Sequence, residues 1–295
     1  MESPVAMMTG DSPLTSVRVL GEDDIAACVD IADDRAWAGG AMPWQFLLSV
    51  GRGLGIDDPD GGLAAVVVLT RYPPGLAVIG NLLVKQRFGR HGLGGTLVRR
   101  ALDMAAGQVV FLYATAMGRP LYERLDFRVI NAVVRHIGVY RPDRPGDERP
   151  SRVPLVRAPR AADQAALLGL DREVFGADRS AALAALARTA DKVVVAEDDR
   201  GLAGHAATTR SAALLTIGPV IARDDDTARA LIDALASGEA GQVRVDLGAD
   251  HAGVSRWAEQ HGLAAGITTP LMVHGGQAMP GAREQLYAPL TLGLG

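Results

Sequence analysis

The chain has 295 residues, of which 48% are hydrophobic and 22% charged, with a formal net charge of −4. That is enough for about two ordinary domains with buried cores, and it lacks the basic footprint that nucleic-acid binding requires. No apolar run reaches membrane-spanning length, and Met1 to Asp11 lacks the regions of a signal peptide, so a cytoplasmic protein with no membrane and no nucleic-acid partner is expected.

Residues 1–14 read as a disordered leader. Val17 to Leu20 is a short strand, and Glu22-Asp23-Asp24 sets acid at the start of a helix reaching about Ile31. Asp33 to Pro43 is expected to loop and Trp44 to Val50 to form a short amphipathic helix. The turn Asp57 to Gly62 separates Leu54–Ile56 from a strand at Leu63 to Thr70, and Pro73-Pro74-Gly75 turns into another at Ala77 to Val84. A helix over Thr96 to Ala106, a strand over Val109 to Ala114 and a last strand over Val133 to Tyr140 complete this half. The order is βα(α)ββ–βαβαββ.

Between Val84 and Thr96 lies Lys85-Gln86-Arg87-Phe88-Gly89-Arg90-His91-Gly92-Leu93-Gly94-Gly95. A strand, a glycine loop and a helix start in that order make an anion site. The first helical N–H groups lack backbone partners, the helix dipole adds positive charge, and Arg90 and His91 add more. Three templates compete for the loop. A Walker loop needs Lys before its Thr, and Gly95 stands there instead. A dinucleotide fingerprint needs a third glycine where Leu97 stands. The acetyl-CoA pattern Gln/Arg-x-x-Gly-x-Gly/Ala fits Gly89-Arg90-His91-Gly92-Leu93-Gly94 except at its first position, held by Gly89.

Downstream, Leu121-Tyr122-Glu123-Arg124-Leu125-Asp126-Phe127 resembles the helix-to-strand turn of the GNAT acetyltransferase superfamily, with Asp126 where Gly is usual. The two motifs stand in the family's order and separation, and the resemblance spans roughly Ser16 to Tyr140. It implies acetyl-CoA as co-substrate and a small-molecule amine as acceptor. The pyrophosphate would lie on Gly89, Arg90, His91, Gly92, Leu93, Gly94, Gly95 and Thr96. The pantetheine arm would lie along the main chain of Leu82, Leu83 and Val84, and Tyr122 would protonate the departing thiolate.

Arg141 to Pro150 has the composition of a linker, which we place at 141–152. Beyond it the pattern restarts. Helices are expected at Pro159 to Leu170 and Ser180 to Thr189. Strands follow at Lys192 to Glu197, Leu202 to Thr209 and Leu214 to Ala222. A helix near Asp226 to Ala236, a strand at Val243 to Leu247 and a helix at Val254 to Gln260 come next. This repeat has diverged where chemistry would lie. Asp224-Asp225-Asp226 would repel a pyrophosphate, and Ala258 replaces the tyrosine. The chain thus resembles the tandem GNAT acetyltransferases. The expected fold is mixed α/β: two tandem GNAT folds, each a mixed, mostly antiparallel sheet flanked by helices. An active N-terminal copy (15–140) precedes a degenerate C-terminal copy (153–295).

Acetyl transfer needs a positioned thioester, a polarised carbonyl and proton management. The strand Ala77 to Val84 holds no carboxylate. Glu22, Asp24, Asp30, Asp33 and Asp34 lie near the first helix, where capping is their commoner use, so no general base is assigned. Trp37 is the better aromatic candidate for the substrate wall, and Trp44 reads as core. Cys28 is the single cysteine, and His205, His251 and His261 lack metal-ligand spacing, so no metal is expected. Direct attack in a ternary complex follows, by a monomer or homodimer. Rival readings are a non-catalytic acyl-CoA-binding module, and an acyltransferase with another acyl group or acceptor.

Overall fold

A computed structural model describes residues 16–37, 40–142, 154–211 and 214–295. The 1–14 leader and all but the first two residues of the 141–152 linker lie outside the described residues.

The first half runs β1 (Val17–Val19), α1 (Ile25–Asp34), α2 (Ala41–Val50), β2 (Arg52–Asp57), β3 (Leu63–Tyr72), β4 (Leu76–Val84), α3 (Leu93–Met104), β5 (Val109–Tyr113), α4 (Arg119–Arg124) and β6 (Phe127–Val139). The second repeats it with β7 (Leu155–Arg157), α5 (Gln164–Phe175), α6 (Ser180–Thr189), β8 (Lys192–Asp198), β9 (Gly201–Ser211), β10 (Leu214–Ala222), α7 (Asp225–Ala236), β11 (Gln242–Gly248), α8 (Ala252–Gln260) and β12 (Ala264–His274). A short β13 (Leu286–Ala288) follows. Two expectations are corrected. The two closing strands of the first half are one strand, β6. The segment from Ala41 is helical through Pro43, because a proline in a helix's first turn gives up no hydrogen bond.

All the strands join one 13-stranded sheet, ordered β1-β2-β3-β4-β5-β12-β6-β11-β10-β9-β8-β7, with β13 on β10. The two halves exchange their last strands. β12 pairs with β5, and β6 lies between β12 and β11, which it meets from Gln242↔Val139 to Gly248↔Val133. Strands near the middle of each half are apolar throughout because both faces are covered; in β3, Leu63 to Thr70 are all buried.

One face carries a core shared between the halves. Ile31 of α1 and Trp44 and Leu47 of α2 meet Phe175 of α5, Leu186 of α6 and Phe111 of β5. On the other face α3 and α4 cover the first half and α7 and α8 the second. Burying a leucine- or phenylalanine-sized side chain stabilises by roughly 1.5–3 kcal/mol, so the shared core holds the two halves together. Trp44, at 3% exposure, belongs to it, as its spacing predicts.

Candidate active site

β4 and β5 run parallel and pair only from Leu76↔Val109 to Val78↔Phe111. Beyond that point they part. A bulge marks the place: the β3–β4 register shifts between Val66 and Val68, and Asn81 takes a left-handed φ of 51°. Asparagine tolerates that conformation better than other non-glycine residues. Among the described strands none pairs with the β5-facing edge of β4 from Ile79 to Val84, so the main chain of Leu82, Leu83 and Val84 is open to an extended ligand.

The glycine loop follows. Arg90 and Gly92 both adopt positive φ, 65° and 81°, and Gly92 caps α3. The helix therefore begins at Leu93, three residues before the predicted Thr96, because Gly92 supplies the left-handed step that turns the chain into it. Leu93, Gly94 and Gly95 become its first turn. Their amides precede the first intrahelical bond, from Thr96 N to Gly92 O at 3.1 Å, and are free for an anion. A Cβ on Gly94 would lie 3.2 Å from Leu121 Cδ2, so α4 packs directly on this turn. The two motifs thus meet in space.

Not all the loop's cations are free. Arg87 pairs with Asp58 and Asp60, and Lys85 Nζ with Asp58 at 3.1 Å. The Arg87 and Lys85 bonds hold the Asp58 carboxyl well below its usual range despite its burial. Arg90 and His91 are exposed, and His91 Nδ1 lies 2.9 Å from Gly89 O. Arg99 belongs to no motif in the sequence, yet its Nη1 lies 3.5 Å from where a Cβ on Gly95 would stand. Its position four residues after Gly95, one turn further along the same helix face, was the available signal.

Tyr122 is on α4, 7% exposed, with its ring edge-on to Phe127 at 5.8 Å. Burial pushes its phenol up to about 12, so it stays protonated at neutral pH. Asp126, where the motif has Gly, sits at φ 59°, which gives the reason a glycine is usual there. The Cys28 thiol is buried in the core and pushed up to about 12 by that burial, which makes it inert as a nucleophile.

The end of α1 spans the mouth of the gap. Gln86 N donates to Asp34 Oδ2 at 2.8 Å after β4, and Arg35 Nη2 reaches Met117 Sδ at 3.1 Å after β5. Trp37, 45% exposed, follows directly. Asp24 is occupied with Arg18 Nη2, at 2.6 Å, and with Gly21 N. The far wall comes from the end of the sequence, a contribution no motif announced. Tyr72 Oη donates to Leu294 O at 2.8 Å, and the backbone of Gly293 lies so close to Gly80 that a Cβ there would sit 2.5 Å from its oxygen. Arg179, fully buried, holds this segment by donating from Nη1 to Gly295 O at 2.7 Å while pairing with Asp171.

The corresponding place in the second half is filled. β10 pairs with β11 from Leu214↔Gln242 to Ile217↔Val245, and past that point β13 takes the edge, with Val220↔Ala288 and Ile221↔Leu286. Only Arg223 and Asp224 separate β10 from α7. Asp224 Oδ1 accepts from Thr227 N at 2.8 Å, so the chain's own carboxylate caps this helix start, and Tyr287 Oη of β13 donates to Asp225 beside it at 2.9 Å.

The fold has counterparts among known proteins. Residues 167–288 match the model of the acetyltransferase (GNAT) domain. The "Uncharacterized N-acetyltransferase YitH" of Bacillus subtilis (strain 168) is 25% identical over 282 residues, 94% of this chain and 97% of its own. A putative acetyltransferase from Pyrococcus horikoshii superposes with TM-score 0.76 at 19% identity over 99% of both chains. A tandem GNAT protein from the clavulanic acid biosynthesis pathway superposes at 0.59, with 13% identity over 89% of this chain and 99% of that one. Residues 167–288 thus resemble the GNAT acetyltransferase domain, and the solved structures share this chain's fold. The segment matched by the family model is the half whose strand gap β13 closes.

Proposed function

We propose that the chain transfers the acetyl group of acetyl-CoA to the amine of a small molecule, using the first copy (15–140). Members of the GNAT family use acetyl-CoA and acetylate amines. The observation that carries the choice of copy is the contrast between the two gaps. The first has an open edge at Leu82–Val84 leading to free amides at Leu93–Gly95; the second has β13 and Asp224 in those places. The pyrophosphate would lie on Gly89 to Thr96, with Arg90, His91 and Arg99 as counter-charges, and the pantetheine along Leu82 to Val84. The amine attacks the thioester carbonyl in a ternary complex, an N–C bond forms, and the C–S bond breaks. Tyr122 gives its proton to the departing thiolate, while the ammonium's proton leaves to water. Trp37 stands at the mouth as a substrate contact.

Isothermal titration with CoA tests this reading. Gly92→Glu and Gly94→Glu set a carboxylate on the helix start and are expected to abolish binding. Stoichiometric CoA binding retained by both variants would place the cofactor in the second copy and overturn the assignment.

A further inference from the structure

Where the halves meet, a cavity of about 240 Å³ opens beside the shared core. Tyr113, on β5 past its last pair with β4, forms one wall; Asn131 and Ala132 of β6, Asp250 after β11, and Arg283 form others. The cavity therefore abuts the strand that borders the first gap.

Arg283 is the unusual group in it. Its guanidinium lies 4.4 Å from the ring centroid of Phe175 and 5.7 Å from that of Phe111. Nε donates to Pro280 O at 3.0 Å, while Nη2 is buried with no acceptor among the described residues. No carboxylate of the described residues pairs with it. Burial brings its pKa down to about 10, so the charge persists at neutral pH without a counter-ion. Arg179, also packed on Phe175, shows the contrast: it makes two bonds to Asp171 and one to Gly295 O. Leaving a buried charge unanswered is costly, and a guanidinium that lines a cavity without a carboxylate partner among the described residues can be answered by a ligand's carboxylate.

We propose that this cavity is the acceptor subsite and that Arg283 receives a carboxylate there, so that the acceptor carries a carboxylate as well as its amine. The proposal rests on the acetyl-transfer reading above. Its size, below the roughly 300 Å³ at which drug-sized pockets begin, fits a molecule about as large as an amino acid. Asp250 and Glu284 on the same walls disfavour a doubly charged phosphate and tolerate a monoanion.

The test is calorimetric titration of the full chain with the proteinogenic amino acids and their matching carboxamides. At least one free acid is expected to bind about tenfold or more tightly than its amide, and Arg283→Gln to remove that preference by weakening the acid alone. Ala132→Leu fills the cavity without touching Arg283 and is expected to weaken the same acid about tenfold. Equal binding of acid and amide, binding by no member, a preference that survives Arg283→Gln, or undiminished binding by Ala132→Leu would each overturn the subsite. Thiol release from acetyl-CoA separates the two readings. An acid that binds but is never acetylated keeps the site and sinks the transferase reading. Acetylation of amines irrespective of a carboxylate does the reverse.

Discussion

Tyr122 shows how far a single residue can be argued. Its ring is held against Phe127 and its phenol is raised to about 12 by burial. A raised phenol is fully in its acid form below the ordinary tyrosine value, so alkaline loss of kcat through Tyr122 should be absent below about pH 10. Tyr122→Phe is expected to lower kcat about 10²-fold at neutral pH while CoA affinity stays unchanged. A pH–rate series with parallel CoA titration checks both, and unchanged turnover removes Tyr122 from proton transfer. Asp126 was visible in the sequence only as a departure from a pattern. The structure gives it a left-handed φ of 59°, which aspartate tolerates and most side chains do not.

At the scale of elements, the segment around Arg179 holds the site's far wall. Asp171 bonds Arg179 Nε at 2.8 Å and Nη2 at 2.9 Å and meets His205 Nε2 at 3.2 Å, all buried. Burial opposes the Asp171 charge, but the charge of Arg179 and the hydrogen bonds from His205 and Arg179 outweigh it, and the carboxyl sits well below its usual range. Such a group contributes stability above its unfolded pKa of about 4 and loses it as pH falls through the lower folded value. Urea denaturation should therefore show stability declining below about pH 4, and Asp171→Asn should flatten that decline. At neutral pH Asp171→Ala leaves Arg179 charged and unpaired in the core, an expected loss of about 3–5 kcal/mol. An unchanged urea midpoint would mean that Arg179 finds another acceptor. None of this was legible in the sequence: Asp171 of α5 and Arg179 at the start of α6 are brought together by the turn between the two helices, and His205 of β9 joins them only when α5 packs over β9. The helix starts were misread for a related reason. The glycine at position 92 was plain, but its left-handed conformation, which begins α3 at Leu93, is set by the loop's tertiary path.

For the whole molecule the consequential feature is the strand exchange. β6 is hydrogen-bonded on one side to β12 and on the other to β11, both from the second half. A protease site inserted within Arg144 to Glu148 should, after cleavage, leave two fragments that co-elute as one species on size exclusion at neutral pH. Either fragment expressed alone should expose unpaired strand edges and aggregate or self-associate. Fragments that separate as folded monomers would contradict the exchange.

Local features were readable from residue order alone: the glycine loop, the Tyr122 turn, the repeat, most strands and helices, and the burial of Trp44. Each rests on residues close together in the chain, where periodicity and backbone preference act. The assembled fold was needed to show which last strand belongs to which half, that β13 fills the second gap, that Gly293 to Gly295 wall the first, and that Arg283 meets no acid among the described residues. Those are pairings between distant segments. They are fixed by edge hydrogen bonds and shared apolar burial that no short stretch of sequence encodes.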